Sequence, residues 1–444
     1  MTSRSMALLV LSFGAALLAG CAGARVPEAG SGLSPYPLAR APQAGDIVHM
    51  PTGLLMSFEQ MMDIVDAAKV VYIGEMHSNF QAHEAQRRII AELERRHPGK
   101  VAIGMEMFRV PQQPALDRWV RGELTEPQFL KESQWFDNWG SDFGNYRGIL
   151  ELARDRRLDV IALDPAKETQ KQFAAAGSGP LPPELAAKVP ETDFSDPYQR
   201  ALLEAVFGGH DAGHGTAARA ANPDEDWMEA TARERRSEAA KEKMFESFFR
   251  TQVLWDETMA SRVVDYLRSP AGEGKKMVVV AGGFHVRYGL GIPRRVLRRA
   301  AWPQVIVLPE EISIPEELRE ELTMDVDVPE IPLLPGDFAW LVPYEDVEKK
   351  RVRLGVVLRA EDKTVYVDKV VPGSAAAAAG VQAGDAFVSI DGFPIAEQGD
   401  VIIVINGKKA GDTATVVLKR GDAEVTVTPT LAAPPEPPPG MHKK

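Results

Sequence analysis

Cysteine occurs once in 444 residues, at Cys21, so the chain can close no internal disulfide and build no thiolate-based metal site. Basic charge is in short supply as well. Asp and Glu number 63 against 51 Lys and Arg, and no long basic block breaks that acidic balance. Nucleic-acid binding therefore has no electrostatic footprint here. The apolar stretch "MALLVLSFGAALLAG" near the N-terminus has signal-peptide length and is too short to read as a spanning helix.

What is present begins with that N-terminus. Arg4 supplies a short basic region, the apolar stretch follows, and "LAGC" closes it. Leu18-Ala19-Gly20-Cys21 resembles a bacterial lipobox. The resemblance implies cleavage before Cys21, a diacylglycerol on its sulfur and an acylated new N-terminus, a multi-chain anchor that holds stably in a membrane. Ala22 follows the cysteine where an Asp would signal inner-membrane retention, so the expected location is the Gram-negative outer membrane.

A chain of this length predicts two folded domains plus tails. Residues 1–20 read as the signal peptide and 21–45, small and Pro/Gly-rich, as a flexible tether. Between 46 and 312, short apolar runs alternate with helical patterns. The strand candidates are "KVVYIG" (69–74), "VAIGME" (101–106), "DVIALD" (159–164), "MVVVAG" (277–282) and "QVIVLP" (304–309). Continuous β-branched runs of this kind predict an α/β domain with a mostly parallel sheet covered by helices on both faces. Residues 175–235 interrupt the rhythm and read as an insertion. The acidic, Pro-rich stretch 313–345 reads as a linker, and 433–444 as a Pro-rich tail.

The segment 346–432 is β-rich with Gly-Asp and Asp-Gly turns and a hairpin around Arg420-Gly421-Asp422. Its "LGV" loop, "PGSAAAAAGVQAGD", "IDG" and closing "KRGD" resemble a PDZ domain of the bacterial protease type. That resemblance implies a small β-rich domain that pairs an extended peptide or protein C-terminus with the strand after Leu354, Gly355 and Val356. A groove merely covered by the chain itself is the plain alternative.

The chemistry-bearing pattern is a pair of Gly-x-x-His stretches about two hundred residues apart: "GEMH", Gly74 to His77, and "GGFH", holding Gly282 to His285. Each follows an apolar run. Ligands collect outside the carboxyl ends of the strands in an open parallel sheet, and Glu75, His77, Glu106, Asp164 and His285 all stand at such ends. One shared site is the expectation. Structural hydrogen bonding is the bland alternative for the histidines, and helix capping or a loop salt bridge for Glu75 and Glu106. His83, in the helix after the first motif, reads as solvated or as a support for the site. Tyr146 reads as an ordinary partly buried tyrosine. His210 and His214 have metal-like spacing in a glycine-rich setting, where a ligand pair lacks a rigid support. Trp135, Phe136 and Trp139 suit core packing or the flank of a bound planar ligand.

"YIGEMHSNFQAHEAQRRII", "VAIGMEMF", "YRGILELARDRRLDVIALD", "QVLWDETMA" and "GGFHVRYGLGIP" occur in this order over nearly all of 50–310, and together they resemble the ChaN-like haem-binding-uptake lipoproteins. That family shares its core with TIKI-type proteases and erythromycin esterases. The resemblance implies haem or iron acquisition in one branch and hydrolysis in the others, and it admits a homodimer sharing haem across its interface. Haem iron takes one or two axial ligands in an apolar pocket, for which His77, His285 or Tyr146 qualify. A divalent ion such as Zn or Mn takes about three imidazole and carboxylate ligands, for which Glu75, His77, Glu106 and His285 qualify. A metal-free hydrolase would use His77 as general base, oriented by Glu75 or Glu106. All three mechanisms draw on the same residues, and a catalytically silent envelope adaptor working through the PDZ unit is a further expectation.

Overall fold

Eight strands form one mixed sheet: β1 (Ile47–His49), β2 (Leu54–Met56), β3 (Val70–Glu75), β4 (Val101–Arg109), β5 (Asp159–Asp164), β6 (Lys276–Gly282), β7 (Gln304–Ser313) and β8 (Phe338–Pro343). The computed structural model describes residues 4–5, 36–213, 227–314 and 327–432, except Pro37, Gly140, Ser178, residues 348–350 and Lys363. Cys21 and the signal segment, the tail 433–444 and His214 lie outside the described residues. His210 falls on the helix Pro197–Gly213, not in a loop, on a stretch described by its backbone alone.

The chain divides into two compact units, Met1–Gln113 with Asp155–Tyr344, and Pro114–Arg154 with Glu345–Lys444. In the first, the strand order is β2-β1-β8-β7-β3-β6-β4-β5. From β8 to β5 every pairing is parallel, and β1 and β2 add an antiparallel edge. The five expected strands are all present. Their residues are buried almost without interruption because helices cover both faces, which is why no polar-apolar alternation marks them. The helix Phe80–Arg96 starts where the Asn79 side chain accepts from the Gln81 N–H, and it buries Ala82, Ala85, Ile89, Ile90 and Leu93. Among the described residues no helix is long and apolar enough to cross a membrane.

Two features depart from the expected organisation. The stretch read as a linker contains β8, whose "FAWLV" pairs in parallel with β7 and antiparallel with β1. Acidic and Pro-rich neighbours mask a short apolar run that is long enough to fill a sheet position. The connection between β4 and β5 is the second departure. Its helices Gln113–Val120, Glu126–Glu132, Trp135–Asn138 and Phe143–Arg156 belong almost entirely to the same compact unit as the C-terminal segment.

That second unit carries an antiparallel sheet of β9 (Val356–Glu361), β10 (Thr364–Val370), β11 (Ala386–Ile390), β12 (Phe393–Pro394), β13 (Val416–Arg420) and β14 (Ala423–Val427). The order is β9-β10-β11-β13-β14, with β12 on β11, so β9 is an edge strand. The expected hairpin closes with Arg420 opposite Ala423, and Gly421 takes the positive φ of its turn. Leu354, Val365, Val367, Phe387, Ile390, Val404, Val416 and Leu418 belong to its core. Trp135 and Tyr146 are buried in an aromatic cluster of the helical part, Trp135 edge-on to both Phe143 and Tyr146.

Phe338 is fully buried in β8 and touches the His49 ring. Phe338→Ala is expected to lower unfolding free energy by about 3–5 kcal/mol, read by urea denaturation. A loss under about 0.5 kcal/mol, the range of ordinary surface changes, would count against burial of 338–343 in the sheet.

Candidate functional site

The parallel register between β3 and β6 sets Gly74 beside Ala281 and Glu75 beside Gly282. The two Gly-x-x-His stretches therefore leave the sheet side by side at its carboxyl edge. β4 pairs with the other side of β6 and brings Glu106 to the same place.

Glu75, the last residue of β3, is buried and bound on both oxygens. Oε1 lies 2.7 Å from His77 Nδ1, and Oε2 accepts from Gln86 Nε2 at 2.7 Å. His83 Nδ1 stands 3.3 Å from Oε2, and its Nε2 is 3.2 Å from the His77 carbonyl oxygen. His83 is thus a buried support of the first motif. Burial alone would raise the Glu75 carboxyl, but His83 and His77 outweigh it and hold it far below the usual carboxylate range. Desolvation pulls the His77 imidazole down, yet the bonded Glu75 and the nearby Glu106 carry it above its ordinary value.

Glu106 and His285 form the other half. Glu106 Oε2 accepts from the Gly282 N–H at 2.6 Å, and Oε1 lies 3.5 Å from His285 Nε2. His285 Nδ1 meets Asp256 Oδ1 at 2.7 Å. Burial disfavours an imidazolium here, but Glu106 and Asp256 override it and push His285 up to about 9. A carboxylate near each ring nitrogen favours the protonated form of His285.

Gly282 lets the halves meet. A Cβ there would stand 3.1 Å from His77 Cε1, 3.3 Å from His77 Nε2 and 3.5 Å from Glu106 Oε2. Asp164 completes the edge. Burial, aided by Glu106, pushes it up to about 7 in spite of Arg109, 3.3 Å away. Farther along, Asn79 Nδ2 donates to Glu311 Oε1 at 2.9 Å, and Arg287 pairs with Glu310 at 2.7 Å.

Glu75, His77, Glu106 and His285 are thus brought together as the sequence suggested. Tyr146 is not available as a ligand: it is fully buried in the second unit, and its hydroxyl accepts from Trp139 Nε1 at 3.2 Å. Trp135, likewise buried, packs in that core rather than against a porphyrin. Asp256, Gln86, Asn79 and Arg109 were missed. Asp256 did leave a signal, since the stripe Val253, Ala260, Val263 and Val264 on the helix Trp227–Arg268 is apolar and buried except for Asp256 and Glu257. Among the described residues no group of three or more His, Cys, Asp or Glu is arranged to hold a metal ion. Two imidazole–carboxylate pairs facing a shared glutamate are what the edge offers.

In the second unit, Gly355 has φ +83°, and a Cβ there would fall 2.1 Å from Ser374 Cβ. Ser374 Oγ donates to the Gly355 carbonyl at 3.2 Å. Only glycine fits the loop that opens the edge strand β9.

This α/β sheet with paired histidines at its carboxyl edge, followed by a PDZ-type sheet, defines a two-part class. The chain belongs to the family described as "Haem-binding uptake, Tiki superfamily, ChaN", whose model matches residues 61–296, and a PDZ domain model matches 352–431. A ChaN structure from Campylobacter jejuni, described as showing cofacial haem binding, is 16% identical, covers 66% of this chain and 95% of its own, and superposes with a TM-score of 0.47. The HtrA-type protease AlgW with a decapeptide is 20% identical over 22% of this chain and 32% of its own, TM-score 0.19. A putative zinc metalloprotease of Mesorhizobium japonicum is 50% identical over 64 residues, 14% of this chain and 17% of that protein. The chain thus spans under a fifth of that relative's length.

The His285 pairing contributes stability that is fully present below the ordinary imidazole value of 6.5 and is lost as pH rises through about 9. Urea unfolding of the protein and of His285→Gln should therefore show a wild-type advantage that is largest near about pH 6 and shrinks towards about pH 10. An advantage that grew with pH would contradict the doubly paired imidazolium.

Proposed function

We propose that the protein binds haem at the carboxyl edge of its α/β sheet, with His77 as the axial imidazole, while the PDZ unit holds a partner's C-terminal peptide. The supporting observation is an asymmetry of exposure. The His77 side chain is 42% exposed, whereas Glu75 and His83 beneath it and His285 beside it are buried. His77 is the histidine of the constellation that reaches the surface. Its Nδ1 is fixed by a carboxylate, the arrangement that orients and strengthens a metal-binding imidazole. Bound haem would supply an iron centre that takes such a ligand in an apolar surround. The His77–Glu75 contact meets the ligand part of that demand. Lipidation at Cys21, with anchoring in the outer membrane, belongs to the same proposal and rests on the "LAGC" motif.

Titrating hemin into the full chain should produce a saturable Soret shift that His77→Ala weakens at least about tenfold in affinity, the loss of a metal-orienting contact. His285→Gln should leave the ligation spectrum intact. An unaltered titration in His77→Ala would end the assignment.

A second reading, hydrolysis with His77 as general base, draws on the same His77–Glu75 contact of 2.7 Å. Ester or peptide turnover that vanished in His77→Ala, in protein without haem, would favour it. For the PDZ unit, Gly355→Ala should weaken any C-terminal peptide at least about tenfold while thermal unfolding remains cooperative, because the carboxylate loop cannot close over Ser374.

A further inference from the structure

The helix Gln398–Asn406 lies along the edge strand β9, and in a PDZ unit an incoming peptide strand enters between two such elements. Two side chains from the β4–β5 connection, far from the PDZ segment in sequence, hold this helix at its two ends. At the N-terminal end, Lys131 Nζ meets Asp400 Oδ1 at 2.7 Å, while Asp400 Oδ2 accepts from the N–H groups of Ala396 and Glu397 at 2.8 and 3.0 Å. Asp400 is fully buried, so this pair is the anchor of the helix start. At the C-terminal end, Arg147 Nη2 donates to the Asn406 carbonyl at 3.0 Å, and Glu126 aligns the guanidinium through two contacts of 2.9 Å. A cation at the last carbonyls is the favourable arrangement for a helix terminus.

The groove side of the helix is engaged too. Gln398 Nε2 donates to the Leu358 carbonyl of β9 at 3.1 Å and so bridges the helix to the edge strand. A peptide adding to β9 past this point competes with that bridge.

We propose that Lys131 and Arg147 are positioning residues for peptide recognition: the β4–β5 connection holds the groove helix close to β9 and lowers affinity for extended C-terminal peptides. The proposal rests on the peptide-binding reading above. A protein whose competent state is only partly populated binds in proportion to that fraction, so releasing the helix raises affinity.

The test uses the full chain and a fluorescein-labelled peptide with a free C-terminal carboxylate, selected against that chain from a display library. Anisotropy should show Lys131→Met/Arg147→Met binding about fivefold or more tightly than wild type, a typical coupling between linked sites. Damage to a merely structural contact would weaken binding instead. Peptide binding to the unaltered chain should also change amide hydrogen exchange in Glu126–Glu132, a measurement that stands if the double variant fails to fold. Equal or weaker binding by a folded variant overturns the proposal and leaves peptide binding intact, as does unchanged exchange in Glu126–Glu132. A library that yields no binder overturns the peptide-binding reading and this proposal with it.

Discussion

The contact between β3 and β6 is the constraint on which the site depends. In a parallel sheet a register fixes which strand ends coincide, and one step of slippage would turn each side chain to the opposite face. Here Glu75 and Gly282 are neighbours, so the chain turning out of β3 delivers His77 over a residue without a side chain. The Gly282 N–H then reaches Glu106 on β4, on the far side of β6. Three adjacent strands supply the constellation because β6, late in sequence, inserts between β3 and β4.

Much of this was legible in the sequence. Parallel strands covered on both faces are continuous apolar runs, and their carboxyl ends are where polar residues stop being buried by helices. That is why Glu75, His77, Glu106 and His285 stood out. β8 did not, since five apolar residues between prolines and acids carry no helical or alternating pattern. Asp256 belongs to a long helix whose period shows only that a face is covered. Which strand-end group an acid on that face will meet is decided by tertiary packing. Tyr146 was ambiguous for a related reason, because a tyrosine near tryptophans reads the same whether the aromatics enclose a ligand or each other.

Charge placement explains what the two histidines are left to do. His285 lies between Asp256 and Glu106, which favour its protonated form. His77 has a carboxylate on one nitrogen and a glycine beside its ring, so its orientation is restrained. One imidazole supplies field and the other reaches outward. The second unit uses charge differently: Lys131 and Arg147 brace a helix rather than face a ligand, and the chain that carries them runs on at either end into β4 and β5, the strands of Glu106 and Asp164.

Asp164 has a consequence for thermodynamics. Burial pushes it up to about 7, towards neutral pH, and it is coupled to both Glu106 and His285. Any ligand bringing negative charge to this edge will make Asp164 take up hydrogen ions from the solvent, and a cationic ligand will make it release them. Binding heats measured there will include the ionisation enthalpy of whatever buffer supplies or receives those protons.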